Sequence, residues 1–247
     1  MIKDLVKRTL LRFGYELRKK PEIGFNVTYL RRICNPRTVI DVGVANGTIA
    51  LHNAFPKAKF ILIEPLEEYR ESIDRLCARY DCDVHYKAVG ETPGTVEFNV
   101  DPGNLEKSSF SNRTTQNDKE TFLEKKLVQV TTLDTIYQQN PDLQRPILLK
   151  IDTEGHELSV LKGATKLLPS VDFVIAESSI ARRFENGYEF KDIIALMDQN
   201  GFDVFSLLTI ECLEGEVRQR FADVVFKRRE AASGNWGTTQ MLTASPV

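Results

Sequence analysis

Three apolar runs, each ending on or next to an acid, constrain this chain more than any other feature: Thr38–Val42 (TVIDV), Lys59–Glu64 (KFILIE) and Ile147–Asp152 (ILLKID). None alternates polar with apolar residues, as a strand with one wet face would. Short β-branched runs bounded by Gly and Pro fit strands buried on both faces. Such strands occur in parallel sheets covered by helices, and the intervening segments supply those helices. Gly47–Phe55 reads as a helix stopped by Pro56, and Leu66–Tyr80 as a charged amphipathic helix that follows Pro65. Val84–Val89 is a further strand. After Ile147–Asp152 come a helix over Glu154–Leu168, a strand over Val171–Glu177 and a helix over Tyr188–Asn200 closed by Gly201. Phe202–Leu208 and Phe221–Phe226 finish as strands. Strands and helices in this order predict a seven-stranded, mostly parallel, doubly wound α/β sheet of Rossmann-like type with helices on both faces.

Three segments stand outside this pattern. Met1–Lys20 has apolar residues at helical spacing and a local charge of +5, from seven Lys/Arg and two acids, and Pro21 closes it. It is expected to cap the domain, form a homodimer contact or lie peripherally on a membrane surface. Gly94–Val100 alternates at period two and is expected to pair with Leu127–Thr131. The polar Asp101–Lys126 segment between them reads as a functional loop. The uncharged tail Ala231–Val247 reads as disordered. The expected organisation is therefore a helical cap over 1–37, one domain over 38–230 with a loop insertion near 101–126, and a disordered tail over 231–247.

Composition narrows the partners. With a net charge of −2 the chain lacks the basic balance of a nucleic-acid scaffold. Its four cysteines form no ligand spacing and read as reduced thiols. No apolar run approaches the roughly 18 residues of a membrane span, and no secretory pattern opens the chain. The expected location is cytoplasmic, with residues 1–20 as the candidate for peripheral membrane contact.

The first run continues as Asp41-Val42-Gly43-Val44-Ala45-Asn46-Gly47. A strand that enters a glycine turn and then a helix is where an α/β sheet receives a nucleotide-like ligand. Pyrophosphate binding calls for GxGxxG, which is absent, and Asp41 would repel an anion. Asp41 would attract an ammonium or sulfonium group, and S-adenosylmethionine carries both. Glu64, 21 residues after Gly43, can accept hydrogen bonds from both ribose hydroxyls; read structurally, it is an acid at a helix start. The third run delivers Asp152 to the sheet edge, and Asp152, Glu154, His156 and Glu157 bunch where the next helix begins. These acids, with Glu177, could bind Mg²⁺ or Ca²⁺, but the spacing fits no metal motif and no metal is expected. His52 and His85 read as surface or strand histidines, and Ser108 and Ser109 as turn residues.

These segments, together with YKAVG at Tyr86–Gly90, GTVEF at Gly94–Phe98, VTTL at Val130–Leu133 and LKIDTEGHELSVLKGA at Leu149–Ala164, resemble the FkbM family of methyltransferases. The resemblance implies a class I methyltransferase fold with six parallel strands and one reversed strand near an edge. It implies O-methylation of a sugar, glycan or natural-product hydroxyl, with S-adenosyl-L-methionine as donor. It places Asp41 and Gly43 by the methionine part of the donor, with Asn46 and Gly47 in the same turn. Glu64 then falls on the ribose, Lys87 and Ala88 near the adenine, and Asp152 at the reacting edge. Methyl transfer is an in-line displacement that benefits from a general base. His156, in a helix's first turn, and Asp152 are the candidates. Two rival readings are a NAD-type Rossmann oxidoreductase and a non-catalytic membrane-associated binding module.

Overall fold

The computed structural model describes residues 2–14, 23–112, 114, 124–185, 187–212 and 217–230. Its strands in chain order are β1 (Thr38–Val42), β2 (Lys59–Ile63), β3 (Asp81–His85), β4 (Ala88–Val89), β5 (Gly94–Val100), β6 (Glu124–Thr131), β7 (Ile147–Ile151), β8 (Phe173–Ser179), β9 (Phe202–Glu211) and β10 (Phe221–Arg228). Seven of them form one sheet in the order β3-β2-β1-β7-β8-β10-β9. Pairing is parallel throughout except around β10, which runs against both β8 and β9. That leaves six strands in one direction and one reversed, next to an edge. The expected class I methyltransferase architecture is present.

The α-helices are α1 (Ile2–Arg12), α2 (Val27–Ile33), α3 (Ile49–Ala54), α4 (Arg70–Cys77), α5 (Leu133–Gln139), α6 (Glu157–Lys162) and α7 (Phe190–Gln199). Side chains alternate across the sheet, so each strand feeds two cores. Ile40, Val42, Ile61, Ile63, Leu149 and Ile151 pack with Val160, Leu161, Ile193 and Met197 of α6 and α7. Val39, Phe60, Leu62 and Leu148 point the other way, into a core with Leu30, Leu51 and Ile73 of α2, α3 and α4. Burying each such side chain is worth about 1.5–3 kcal/mol, which is why these strands carry no polar alternation.

A second sheet of three strands, β4-β6-β5, stands beside the first. β5 pairs antiparallel with β6 from Gly94↔Val130 to Val100↔Glu124, as the alternating pattern predicts. The run Val84–Val89 is divided between the two sheets. β3 ends at His85, the chain turns at Tyr86-Lys87, and Ala88-Val89 pairs with β6 instead.

Other boundaries shift for local reasons. The helix expected from Glu154 begins at Glu157, because Glu154 (φ 51°) and Gly155 (φ 94°) are left-handed. Two short helices escape the periodicity and are set by caps. Asn26 accepts from the Tyr29 amide at the start of α2, and Thr132 accepts from the Thr135 amide at the start of α5. In the polar segment, Ser109 exchanges both backbone hydrogen bonds with Asn99 on β5, and β6 already starts at Glu124. The remainder of that loop, the end of the N-terminal segment and the tail 231–247 lie outside the described residues.

Candidate functional site

The winding of the main sheet reverses between β1 and β7, and a cleft of about 330 Å³ opens above the carboxyl ends of the strands there. It is lined by Gly43, Asn46, Gly47, Glu64, Lys87, Ala88 and Asp152, seven residues that the sequence marks for a donor site. Strand order spreads them along the rim. Lys87 follows β3, Glu64 follows β2, Gly43 follows β1 and Asp152 follows β7.

Gly43 leaves β1 at φ 77°, and a Cβ there would lie 1.8 Å from the backbone oxygen of Asp152. No other residue fits this turn without moving the backbone. The left-handed Ala45 (φ 47°) aims its N–H at Glu64 Oε2, 2.9 Å away, and the Leu66 N–H donates to Oε1 at 3.0 Å. Glu64 is thus held at the cleft wall by two backbone donors, and each carboxylate oxygen keeps acceptor capacity for a diol. Burial pushes its pKa up to about 7, against the pull of those two amides.

Asp41 does not line the cleft. It is 0% exposed and lies beneath the glycine turn, a correction to its expected contact with the donor. The parallel register places Asp41 directly beside Lys150, so both side chains share one face of the sheet. Lys150 Nζ stands 3.2 Å from Asp41 Oδ1 and 3.6 Å from Asp152 Oδ2, and it donates to the Gly43 carbonyl at 2.9 Å. Burial lowers the pKa of Lys150, but the charges of Asp41 and Asp152 outweigh it and leave the ammonium form favoured. His52, from α3, is also buried with its Nε2 3.9 Å from Asp41 Oδ2, while its Nδ1 bonds the Thr48 carbonyl at 2.9 Å. It is therefore no surface histidine. The one cue to Lys150 was a lone charge inside an otherwise apolar strand; nothing local marked His52 as its neighbour.

The turn after β7 is built around another buried acid. Glu157 Oε1 accepts from the Thr153 amide (3.0 Å), the Thr153 hydroxyl (3.2 Å) and the Gly155 amide (3.0 Å). Tyr188 donates its hydroxyl to Glu157 Oε2 at 2.9 Å. This scaffold presents Asp152, Thr153 and Glu154 to the cleft. Behind them the buried Arg183 bonds Glu177, a cleft residue at the end of β8, and lies 3.7 Å from Glu154. Asp152, at 43% exposure, is the accessible carboxylate of the group.

His156 is not among the cleft-lining residues. Its ring stacks on Phe110 at 4.1 Å between centroids, and its Nε2 lies 3.1 Å from where a Gly90 Cβ would sit. Burial lowers its pKa to about 4. The imidazole is neutral, as expected for a base, but desolvation is the cause and the ring packs between other residues. Ser108 lines the cleft and also closes a turn, as expected: its amide donates to the Leu105 carbonyl at 3.1 Å, and its hydroxyl accepts from the Asp101 amide at 3.2 Å.

The methyltransferase FkbM domain matches residues 41–204, about two-thirds of the chain. The chain belongs to the FkbM methyltransferase family. Its donor is S-adenosylmethionine, and a nicotinamide-dependent reading falls away. Among solved structures, this FkbM chain is similar to an FkbM methyltransferase from Methylobacillus flagellatus, with a TM-score of 0.50 and 16% identity, covering 83% of this chain and 48% of that one. At that identity the likeness speaks for the fold. It is also similar to the hexuronic acid methyltransferase AglP of Haloferax volcanii, 39% identical over 61 residues, which is 25% of this chain and 23% of that protein. The matched regions thus span about a quarter of the curated relative and about half of the solved one. Among the described residues, no helix is long and apolar enough to cross a membrane.

Proposed function

We propose that this domain transfers the methyl group of S-adenosylmethionine to a hydroxyl oxygen of a sugar or similar polyhydroxylated acceptor. The observation that carries the donor site is the pinned Glu64 carboxylate at the end of β2, facing the same cleft as the Gly43 turn. Glu64 takes the ribose hydroxyls, and Lys87-Ala88 lies on the far side of it for the base. The methionine part lies over the Gly43 turn, which lines the cleft and packs directly on the Asp152 carbonyl. Asp41 acts from below, through Lys150, by holding the turn and not by direct contact. When bound, the donor supplies an electrophilic methyl carbon on a positively charged sulfur. Asp152 stands next along the rim and takes the acceptor proton, contributing about 10²–10⁴-fold. His156 keeps the Phe110 wall in place. The hexuronic acid methyltransferase relative, matched over 25% of the chain, supports a sugar as the acceptor class; the charge of that sugar is a matter for the β7–β8 wall. The basic N-terminal segment is a candidate for peripheral membrane or dimer contact.

Calorimetry with S-adenosylmethionine and its demethylated product tests the donor site, and labelled-methyl uptake into a panel of sugars tests the reaction. Purified, folded protein that binds neither form of the donor would defeat the proposal.

A further inference from the structure

We propose that the acceptor presents uncharged hydroxyls, and no carboxylate, to the β7–β8 end of the cleft. The inference deepens the methyl-transfer reading and rests on it. With the donor laid from β3 to β1, the acceptor must enter over β7 and β8, where the described wall consists of Asp152, Thr153, Glu154 and Glu177. Two cations lie next to that wall, and both are buried and committed. Lys150 serves Asp41, Asp152 and the Gly43 carbonyl. Arg183 serves Glu177, Glu154 and the Ser179 hydroxyl. The other described cation of the cleft, Lys87, follows β3 at the opposite end of the row of strands.

Each committed cation also has a positive use. Arg183 holds the Glu154 and Glu177 carboxyl groups side by side at the wall, where they accept hydrogen bonds from neighbouring hydroxyls, the strongest kind a neutral polyol can donate. The backbone reinforces the arrangement. Glu154 is held left-handed, an uncommon conformation for a residue other than glycine, by a turn whose Gly155 has no room for a side chain: a Cβ there would sit 2.2 Å from Phe184. The chain that follows the cleft-lining Ser108 and Phe110 is tied to the same segment, since the Thr114 amide donates to the Arg183 carbonyl and the Glu185 amide to the Asn112 carbonyl, at 2.8 and 3.0 Å. An acceptor carboxylate brought to this wall meets like charges and finds no uncommitted partner in it.

The test uses the full chain, loaded with the demethylated donor for the binding arm and with methyl-labelled S-adenosylmethionine for the transfer arm. Methyl glycosides of glucose, galactose and mannose are compared with the matching methyl uronosides, by thermal-shift titration and by labelled-methyl uptake. At least one neutral glycoside is expected to bind and accept methyl about tenfold or more better than its uronate. In Glu154→Gln, or in Glu154→Asn, which suits the left-handed backbone, that preference is expected to shrink below about threefold while by-product affinity holds. A uronate preferred over its neutral partner overturns the proposal, as does a preference that neither variant moves or a failure of every neutral glycoside on protein that binds the by-product. Failure to bind the by-product at all overturns the methyl-transfer reading and this inference with it.

Discussion

Replacing Glu64 by Gln should separate what this carboxylate does for binding from what it costs the fold. Its pKa stands at about 7 in the folded protein against an ordinary 4.5, with burial as the main cause. The native state therefore holds the proton more tightly than the unfolded chain. Stability from this group is greatest below pH 4.5 and falls as pH rises to about 7, by about 3 kcal/mol in all at 1.36 kcal/mol per tenfold. Gln removes that fall. It also leaves one of the two backbone amides, Ala45 or Leu66, without an acceptor, which costs about 1–3 kcal/mol. The two effects nearly offset at pH 8, so the donor-free variant should melt within a few degrees of the wild type or slightly above it. At pH 5 most of that fall has yet to occur, so the lost hydrogen bond dominates and the variant should melt lower, by up to roughly 8 °C. Donor affinity should drop about 10- to 100-fold, the worth of a charged hydrogen bond. Wild-type affinity should strengthen from pH 6 to 8 as Glu64 ionises. Scanning calorimetry of both proteins from pH 5 to 8, with donor titrations, reads all three. A melting difference that stays flat with pH, or donor affinity equal in both proteins, would refute this account of Glu64.

Four further substitutions probe the rest of the site. Gly43→Ala should destabilise the fold by about 2–5 kcal/mol, from the left-handed backbone and the collision with the Asp152 carbonyl; an unmoved urea midpoint would show that the turn is slack. Asp152→Asn should lower kcat about 100-fold or more with donor affinity within a few-fold, whereas His156→Phe, which preserves the stack on Phe110, should keep turnover within about fivefold. Single-turnover rates that rank the two variants the other way would return the base to His156. Glu157→Gln should cost about 1–3 kcal/mol in chemical denaturation, because an amide cannot serve the Thr153 and Gly155 donors and Tyr188 together; unchanged stability would mean that those bonds are not what shapes the turn.

Much of the fold was legible in the residues because its cues are local. Buried parallel strands need uninterrupted apolar runs, and TVIDV, KFILIE and ILLKID supply them. The β5–β6 pairing could be anticipated from period-two alternation alone. Helix limits were less legible. The start of α6 depends on left-handed backbone at Glu154 and Gly155, and α2 and α5 are too short to show a period. The break between β3 and β4 depends on which sheet offers Ala88-Val89 a partner, and no local pattern encodes that.

The sequence by itself determined the chemistry at the strand ends. Gly43, Glu64 and Asp152 each follow a strand directly, so a parallel sheet must bring them to one edge. Tertiary structure alone decided what stands behind them. Asp41 and Lys150 meet through the register of two strands more than a hundred residues apart in the chain, His52 joins them from a helix, and Arg183 reaches Glu154 and Glu177 across the end of β8. Likewise, only packing turned His156 toward Phe110 and Gly90 and away from the cleft. Strand ends are set by neighbours in the chain, whereas buried charges find partners through neighbours in space, and one residue of register slip would reverse every face.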